Sequence, residues 1–452
     1  MQNEILRAMD LKLMCNTFLL LLLCSQIIAQ SPDTIQHQVT KKGLSIGLVP
    51  AIGFDSDIGI KYGGIINLFW YGNGLCYPRY NHSLMIEWSE TTKGSGTKQL
   101  VYDSERVIPG IRVSGEASYF TEKAMDFYGF NGYNAYYNAK LIDNKSDQYQ
   151  SRMFYKMSRS LVRLRTDLQG KIADSHFGWI GGWMYESFDI DSINIDKLNK
   201  GLQKKDKLKP IGGGLYGKFV DWGIIKQNER SGGNHHEIRM GLTYDSRDNE
   251  PNPMKGAWTE LVYLISPAWT GTSPTFSRII ATHRQYFTLV KEKLSLVGRL
   301  SYQATVSGHQ PWYMLSTIQN FGPNYNRDGL GGSKTLRGIL RTRIIGDDFL
   351  YGNIETRWKF LKAVMFNQNL HLTLAPFLDF GRVTRKYQLP ETTNNEAQAY
   401  LNQGSPEQMH YSVGVSGFAA LNENFVAGIQ YGRALNKRDG DSGIYIVMNF
   451  MY

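Results

Sequence analysis

The sequence predicts a large antiparallel β-barrel that spans the outer membrane of a bacterium. Aromatic residues make up 13% of the 452-residue chain and 46 residues are glycine, while the mean hydropathy is only −0.35. This composition excludes a bundle of transmembrane helices and suits a barrel, although a soluble array of β-sandwiches would share it. Apolar and polar residues also alternate with a period of two through segments of roughly ten residues, which is the length of a membrane-spanning strand. The connections between these segments alternate between long and short.

The N-terminus is predicted to direct export. Residues 1–29 contain basic residues, then the apolar run 18–23, then Ala29 at a plausible cleavage position, as in a secretory signal peptide. The apolar run is too short to span a membrane. Residues 30–43 are expected to form a short periplasmic leader without room for a folded domain, and 44–452 to form the barrel. Cys76 is the one cysteine beyond the signal, so we expect no internal disulfide and a plain small residue in a turn.

Counting the alternating segments gives 16 strands, an even number as in single-chain bacterial barrels. The clearest segment runs from Leu294 to Ala304, where leucines share one face with Tyr302 and polar side chains share the other with Arg299. The predicted strands are 44–53, 58–71, 82–91, 98–105, 110–121, 149–168, 177–189, 235–247, 257–268, 276–290, 293–306, 347–361, 368–381, 409–421, 424–434 and 443–452.

Connection lengths support this count. If the N-terminus is periplasmic, the four long connections near 122–148, 190–234, 307–346 and 382–408 all lie on the outer side, and the periplasmic connections are mostly short. Outer-membrane barrels have short periplasmic turns and long outer loops. A wrong count would disturb this agreement.

The candidate site lies in the third of the four long outer connections, near 307–346. Its segment Gly331–Ile339 surrounds Arg337 with glycines and small residues, and could fold into a tight hairpin. Two acids follow, Glu355 and Asp379, and alternation places both on the lumenal faces of adjacent strands, because a lipid-facing charge is costly. An arginine in a confined place needs a carboxylate. We therefore expect the loop to enter the barrel and Arg337 to pair with Asp379 and Glu355.

These segments resemble motifs of the outer-membrane assembly and translocation barrels, the BamA/TamA or bacterial surface antigen superfamily. Leu336-Arg337-Gly338-Ile339 is similar to the family's Arg-Gly signature in a late outer loop, although the family favours an aromatic residue where Ile339 stands. Phe377-Leu378-Asp379-Phe380-Gly381 is similar to the strand whose inward acid receives that arginine. The segment 242–249 with the turn to Gly256 resembles a mid-barrel motif, and Tyr452 resembles the family's C-terminal aromatic.

The resemblance implies a bacterial outer-membrane protein that assists insertion or translocation of polypeptides. Implied partners are outer-membrane lipid, polypeptide clients and a periplasmic or lipoprotein partner. Family members usually carry periplasmic transport repeats, for which the predicted leader leaves no room. A gated or plugged transport pore and a surface structural or interaction barrel therefore stay open as alternatives. Arg337, with Gly338, Phe377 and Gly381 around it, is either a latch on a mobile plug or a stabilising ion pair in an inert barrel.

The predicted first strand is weak. It contains Gly47, Pro50 and Gly53, and proline lacks the N–H that a strand ladder needs. This strand must pair with the last one, which ends at Tyr452, to complete the barrel. The family uses such a seam as a lateral gate. A proline that simply lies near the rim is the alternative, and the sequence leaves both interpretations open.

Other chemistries find little support. His235 and His236 are adjacent, so a strand directs them to opposite faces, which argues against a metal site. We find neither a nucleophilic serine with a His–acid pair nor a catalytic acid pair, so we expect no enzyme activity and no cofactor. Nucleic-acid motifs are missing too. The net charge of +10 is assigned to the lumen and to solvated loops such as the lysines between 197 and 209, with lipid phosphates as the alternative contact.

Overall fold

The computed structural model describes residues 42–55, 59–75, 80–201, 203, 207–250, 252–320, 326–365, 368–391, 394–401, 406–421, 425–448 and 450–452. The predicted signal peptide, the leader as far as residue 41, and Cys76 lie outside these residues. Within them, 17 strand segments form one antiparallel sheet.

The strands are defined as follows: β1 Leu44–Pro50, β2 Gly53–Asp55, β3 Gly59–Trp70, β4 His82–Thr91, β5 Ser95–Ile108, β6 Ile111–Asp126, β7 Lys156–Lys171, β8 Phe177–Ser192, β9 Gly232–Asp245, β10 Gly256–Ser266, β11 Phe276–Val290, β12 Leu294–Gly308, β13 Asp348–Met365, β14 Gln368–Arg385, β15 His410–Leu421, β16 Phe425–Ala434 and β17 Ser442–Met448. In the described residues, three short α-helices lie in the long connections: α1 Ile195–Asn199, α2 Gly214–Asp221 and α3 Asn395–Leu401. No helix in the described part of the chain is long and apolar enough to cross a membrane.

From β2 onward, each strand pairs with the next one in the sequence, and β17 returns to β2 through Tyr445 opposite Asp55. Both β1 and β2 pair with β3, so they are two pieces of one interrupted strand. Counted in this way the ring has the 16 strands that the sequence predicts. The predicted fold class, an antiparallel β-barrel, is confirmed.

The two faces of each strand differ as period-two alternation requires. On β13, Ile354, Trp358 and Phe360 are exposed on the outside, while Glu355 and Arg357 are buried inside. The same division holds on β12 and β14. The outer surface is therefore an apolar belt that suits lipid, and the lumen holds a dense network of paired charges.

The long connections gather at one end of the barrel and form an aromatic cap. Phe127 is its centre: its ring lies 5.2 Å from that of Phe219 and 6.0 Å from that of Trp312, measured between centroids. The same buried cluster includes inward-facing residues such as Phe188 and Ile280. The outer loops thus fold over and into the mouth, and residues 149–155, predicted to begin one of the alternating segments, belong to the cap instead.

Candidate functional site

Residues 326–347, here called the plug loop, lie inside the barrel. Leu330 and Ile344 form an isolated β-bridge, and the Gly332 N–H donates to the Ile339 carbonyl, which makes the segment a narrow hairpin. Leu336, Arg337 and Ile339 are fully buried. Ile339, the departure from the family pattern, packs in an apolar cluster with Leu336 and residues of β13 and β14.

Arg337 meets both acids that the sequence singles out. Its Nη2 lies 2.8 Å from Asp379 Oδ1 and its Nε 2.9 Å from Asp379 Oδ2, which is a bidentate pair. Its Nη1 lies 2.6 Å from Glu355 Oε1. The Arg337 backbone N–H also donates to Asp379 Oδ2 at 2.9 Å. Burial opposes the charge of the guanidinium, but the two carboxylates outweigh burial and raise the pKa of Arg337 above its usual value.

Neighbouring side chains hold this triad in position. The Arg337 guanidinium lies 3.4 Å from the centre of the Phe377 ring, a close cation–π contact. Asn353 donates to Asp379 Oδ1 at 2.8 Å, and Arg357 donates to the second oxygen of Glu355 at 3.0 Å. Both carboxylates are therefore satisfied by several donors. A charge removed from this cluster would leave its partners buried and poorly compensated.

Two glycines of the predicted site make room for backbone contact. Gly338 has a positive φ of 89°, and a Cβ there would collide with the backbone of Gly432 and Arg433 on β16. On β14, a Cβ at Gly381 would lie 3.2 Å from Leu336 of the plug loop. The tip of the loop can approach the barrel wall this closely because these side chains are missing.

The tip also reaches the strand that completes the ring. The Gly338 N–H donates to the Tyr445 hydroxyl at 3.1 Å. Tyr445 is the residue that pairs with Asp55 of β2. The plug loop is thus in direct contact with β17 at the point where the two ends of the sheet meet.

A second anchor, which the sequence pattern does not single out, holds the loop on the other side. Arg341 forms an ion pair with Glu122 of β6 and lies 2.6 Å from Asp328 of the loop itself. Arg159 of β7 binds Glu122 at 2.6 Å and donates to the Arg327 carbonyl at 3.0 Å. The one sequence signal for this second anchor is that alternation along β6 places Glu122 on the lumenal face.

The predicted seam residues are only partly where the sequence places them. Gly47 and Pro50 lie on β1 opposite Asn67 and Gly64 of β3, and Gly53 begins β2. The described residues show one pair between β17 and β2, against seven pairs between β16 and β17. The chain leaves strand conformation between Pro50 and Gly53, which divides the predicted 44–53 strand in two.

Tyr452 does not lie in the closing strand. The sequence predicts a strand over 443–452 that ends at Tyr452, but β17 ends at Met448. Phe450 is buried against Phe418, and Arg357 donates to the Tyr452 carbonyl at 2.8 Å. Inward guanidiniums on β12 and β13 hold the tail by this bond and by cation–π contacts. These contacts stabilise residues 450–452 in the lumen, in preference to pairing with β1, which contains a proline.

The remaining candidates take structural positions. His235 faces inward, with its Nε2 2.6 Å from the Tyr313 hydroxyl, whereas His236 faces outward. In the described residues no group of three or more His, Cys, Asp or Glu could hold a metal. Of the lysines between 197 and 209, Lys204 and Lys205 lie outside the described residues, and Lys200 and Lys207 border an open surface hollow.

One histidine that the sequence pattern does not single out does have acid partners. His410 lies between Asp439 at 2.8 Å from Nδ1 and Glu407 at 3.1 Å from Nε2, and its ring stacks on Tyr133. Both ring nitrogens are therefore engaged by carboxylates. The arrangement joins three outer connections beneath the aromatic cap, as Tyr133 donates to Asp439 and Glu407 accepts from Val383 N–H.

The lumenal loop bound to an inward acid of the barrel wall is the arrangement that the resemblance to the assembly and translocation barrels implies, and comparison with known proteins shows the family. A model described as the Omp85 superfamily domain matches residues 111–450. The chain belongs to the Omp85 superfamily, and its location is the bacterial outer membrane. No curated protein matches the sequence.

Two solved structures share the fold. BamA from Haemophilus ducreyi lacking POTRA domains 1–3 aligns with a TM-score of 0.51 and 14% identity, over 90% of this chain and 70% of that one. CdiB from Escherichia coli aligns with a TM-score of 0.54 and 10% identity, over 94% of this chain and 67% of that one. At these identities the similarity establishes the architecture.

Proposed function

We propose that this protein assists the insertion or translocation of polypeptides at the outer membrane, by opening its barrel at the seam between β17 and β2 while the plug loop leaves its resting position. The observation that carries this proposal is the contact of Gly338 with Tyr445. It joins the Arg337 triad to the one residue that pairs the two ends of the sheet in the described part of the chain. Membership of the Omp85 superfamily supports the same class of function.

The register supports a seam that separates easily. Since Tyr445 lies opposite Asp55, a longer β17 would place residue 450 opposite Pro50 and residue 452 opposite Leu48. The tail turns into the lumen instead, and Pro50 has no N–H to offer a partner. Among the described residues, opening would therefore break few strand hydrogen bonds at this seam.

A crosslink across the seam tests the proposal directly. In a Cys76→Ser background, Phe54→Cys and Ile446→Cys place two thiols at positions that the register sets opposite each other. We expect the oxidised barrel to fold to normal levels but to lose function, and reductant to restore it. Function would be scored as the inventory of other outer-membrane proteins after the native protein is depleted. Full complementation by the oxidised form would refute a lateral opening.

The implied partners can be tested independently. Capture of the folded barrel from membranes should retain a periplasmic protein or lipoprotein together with unfolded polypeptide clients. The matched control is the oxidised seam variant, which should retain the partner and lose the clients. If the barrel retains neither a partner nor clients, the result counts against the proposed assembly function.

A plugged transport pore is the second candidate, and the plug loop itself favours it. A loop held in the lumen by ion pairs on both sides would block conductance until it is displaced. Under this alternative, the purified protein in planar bilayers should be closed, and Arg337→Ala should open discrete channels without any partner. A silent Arg337→Ala variant would count against the pore.

A further inference from the structure

A polar cavity of about 220 Å³ lies between the plug loop and the inner wall formed by β3 to β7. Its walls carry five cations: Lys61, Arg163, Arg327, Lys334 and Arg341. They carry three acids: Glu87, Glu122 and Asp328. The lining thus has an excess of two positive charges in a partly enclosed space, where solvent screens charge less than at an open surface.

Two of the five cations, both in the plug loop, lack an ion-pair partner among the described residues. Lys61 is paired with Glu87 at 2.5 Å, and Arg163 and Arg341 have the carboxylate partners of β6 and Asp328. By contrast, Arg327 and Lys334 have no carboxylate oxygen within 4.0 Å in the part of the chain described here.

The surroundings of Arg327 indicate that part of its guanidinium lacks a hydrogen-bond acceptor. Its guanidinium lies 3.7 Å from the centre of the Phe120 ring, and Arg163 approaches the same ring at 5.0 Å. The Arg327 Nε is buried without a hydrogen-bond acceptor among the described residues. A buried donor that lacks its acceptor is costly, so the site would gain from an oxyanion.

We infer that this cavity binds a small multivalent oxyanion, of the phosphate or polycarboxylate class, between Arg327 and Lys334 of the plug loop and Lys61 and Arg163 of the barrel wall. Hydroxyl groups such as that of Thr97 line the same space and can donate to the anion. The cavity has the volume of about seven waters at roughly 30 Å³ each. It is smaller than the pockets of about 300–1,000 Å³ that hold drug-sized ligands.

Binding at this position would act on the plug loop. The anion would be held by the loop and the wall together, so it would bind only when the loop is inserted. By mass action, an anion at 100 times its Kd would raise the ratio of inserted to released loop about 100-fold. This consequence applies whether the loop closes a lateral gate or a pore, and the binding itself requires neither.

The protonation of Lys334 gives the binding a pH dependence. Desolvation and the neighbouring Arg327 lower the pKa of Lys334 to about 8, against the opposing effect of Asp328, and Lys61 and Arg163 face it from β3 and β7. The ammonium is charged below that pH, and an anion favours the charged form. We therefore expect the affinity to fall as the pH rises through about 8, and binding above pH 8 to take up a proton.

Calorimetry on the purified, folded protein tests the inference. Sodium phosphate and tricarballylate would be titrated separately at constant ionic strength, with chloride as the reference anion, and the tighter of the two identifies the ligand class. Proton uptake would be read from two buffers of different ionisation enthalpy. We expect one saturable site per chain for at least one of these two anions.

Variants distinguish the cavity from unspecific attraction to a basic protein. Lys334→Gln and Arg327→Gln should each weaken binding at least 10-fold, and Lys334→Arg should retain it. Lys226→Gln, at an exposed lysine in an outer connection, is the matched control and should bind normally. Binding that does not saturate, or that is equal in all variants whose barrels fold, would overturn the inference. Neither result depends on client or partner assays, so the proposed function would be unaffected.

Discussion

Removing Arg337 should release the plug loop from β13 and β14. In Arg337→Ala, Asp379 keeps only neutral donors such as Asn353, while Glu355 keeps Arg357. Breaking a buried ion pair by removing one partner typically costs about 3–5 kcal/mol. Because both acids retain a partner, we expect the lower end of that range, about 3 kcal/mol.

That energy corresponds to a measurable change in loop opening. At about 1.4 kcal/mol for each factor of ten, 3 kcal/mol raises the open population of the loop by roughly 100-fold. Trypsin cleavage at Arg343, which remains in every variant, should accelerate by the same factor when reclosing is faster than cleavage. The heat-modifiability of the barrel on gels reports whether the sheet itself has survived.

An exposed ion pair provides the matched control. Lys362, near the end of β13, lies 2.7 Å from Glu292 in the turn between β11 and β12, and both side chains are exposed. Lys362→Ala should leave cleavage in the plug loop unchanged, because an ion pair this exposed adds little to stability. Arg337→Lys should rescue poorly, because an ammonium lacks the planar fork that holds both carboxylates at once.

A double-mutant cycle decides whether the contact acts as a unit. Arg337→Ala with Asp379→Ala should be little worse than either single variant, because both remove the same interaction. Full additivity of the two single effects would refute the latch. The latch would also be refuted if protease cleaved the plug loop of the unaltered protein as fast as it cleaves the same segment as a free peptide.

Three further predictions follow from the same geometry. Epitope tags at Gln203 and Glu391, in connections on the capped side, should be accessible on intact cells; tags detected only after lysis would reverse the topology. Arg341→Gln should loosen the loop from β6, adding fully to Arg337→Ala if the anchors are independent, as measured by trypsin cleavage at Arg343. Phe418→Ala and Phe450→Ala should be less than additive in thermal unfolding because the rings lie 4.5 Å apart; additivity would place Phe450 on the lipid side.

The parts of the site that could be predicted are those that local alternation controls. A period of two assigns each residue of β13 and β14 to lipid or lumen, and a charge cannot face lipid cheaply. Alternation alone therefore places Glu355 and Asp379 at inward positions of adjacent strands. An arginine flanked by glycines in the preceding connection is then predicted to pair with these two acids.

The parts that could not be predicted depend on contacts far apart in the sequence. Glu122 and Arg341 are 219 residues apart, and nothing in either local pattern selects the other. The last residues of the chain continue the alternation of β17, so the sequence predicts a longer strand there. The inward guanidiniums Arg299 and Arg357, which belong to other strands, draw the tail into the lumen.

The two anchors of the plug loop have a consequence for any opening of the seam. If β1 and β2 count as one strand, β6 is the fifth and β14 the thirteenth of the 16, so Glu122 and Asp379 belong to opposite sides of the ring. Only four residue steps separate Arg337 from Arg341, which leaves the loop little slack. The seam lies between the two anchored walls, so a movement that widens it and separates β6 from β14 must break one anchor. The Arg337 triad includes a bidentate pair and a contact with Tyr445 of the closing strand. Two outcomes are therefore possible. If the ion pairs of Arg341 break first, the loop stays bound to β14. If the Arg337 triad breaks instead, the contact between the loop and Tyr445 of β17 is lost.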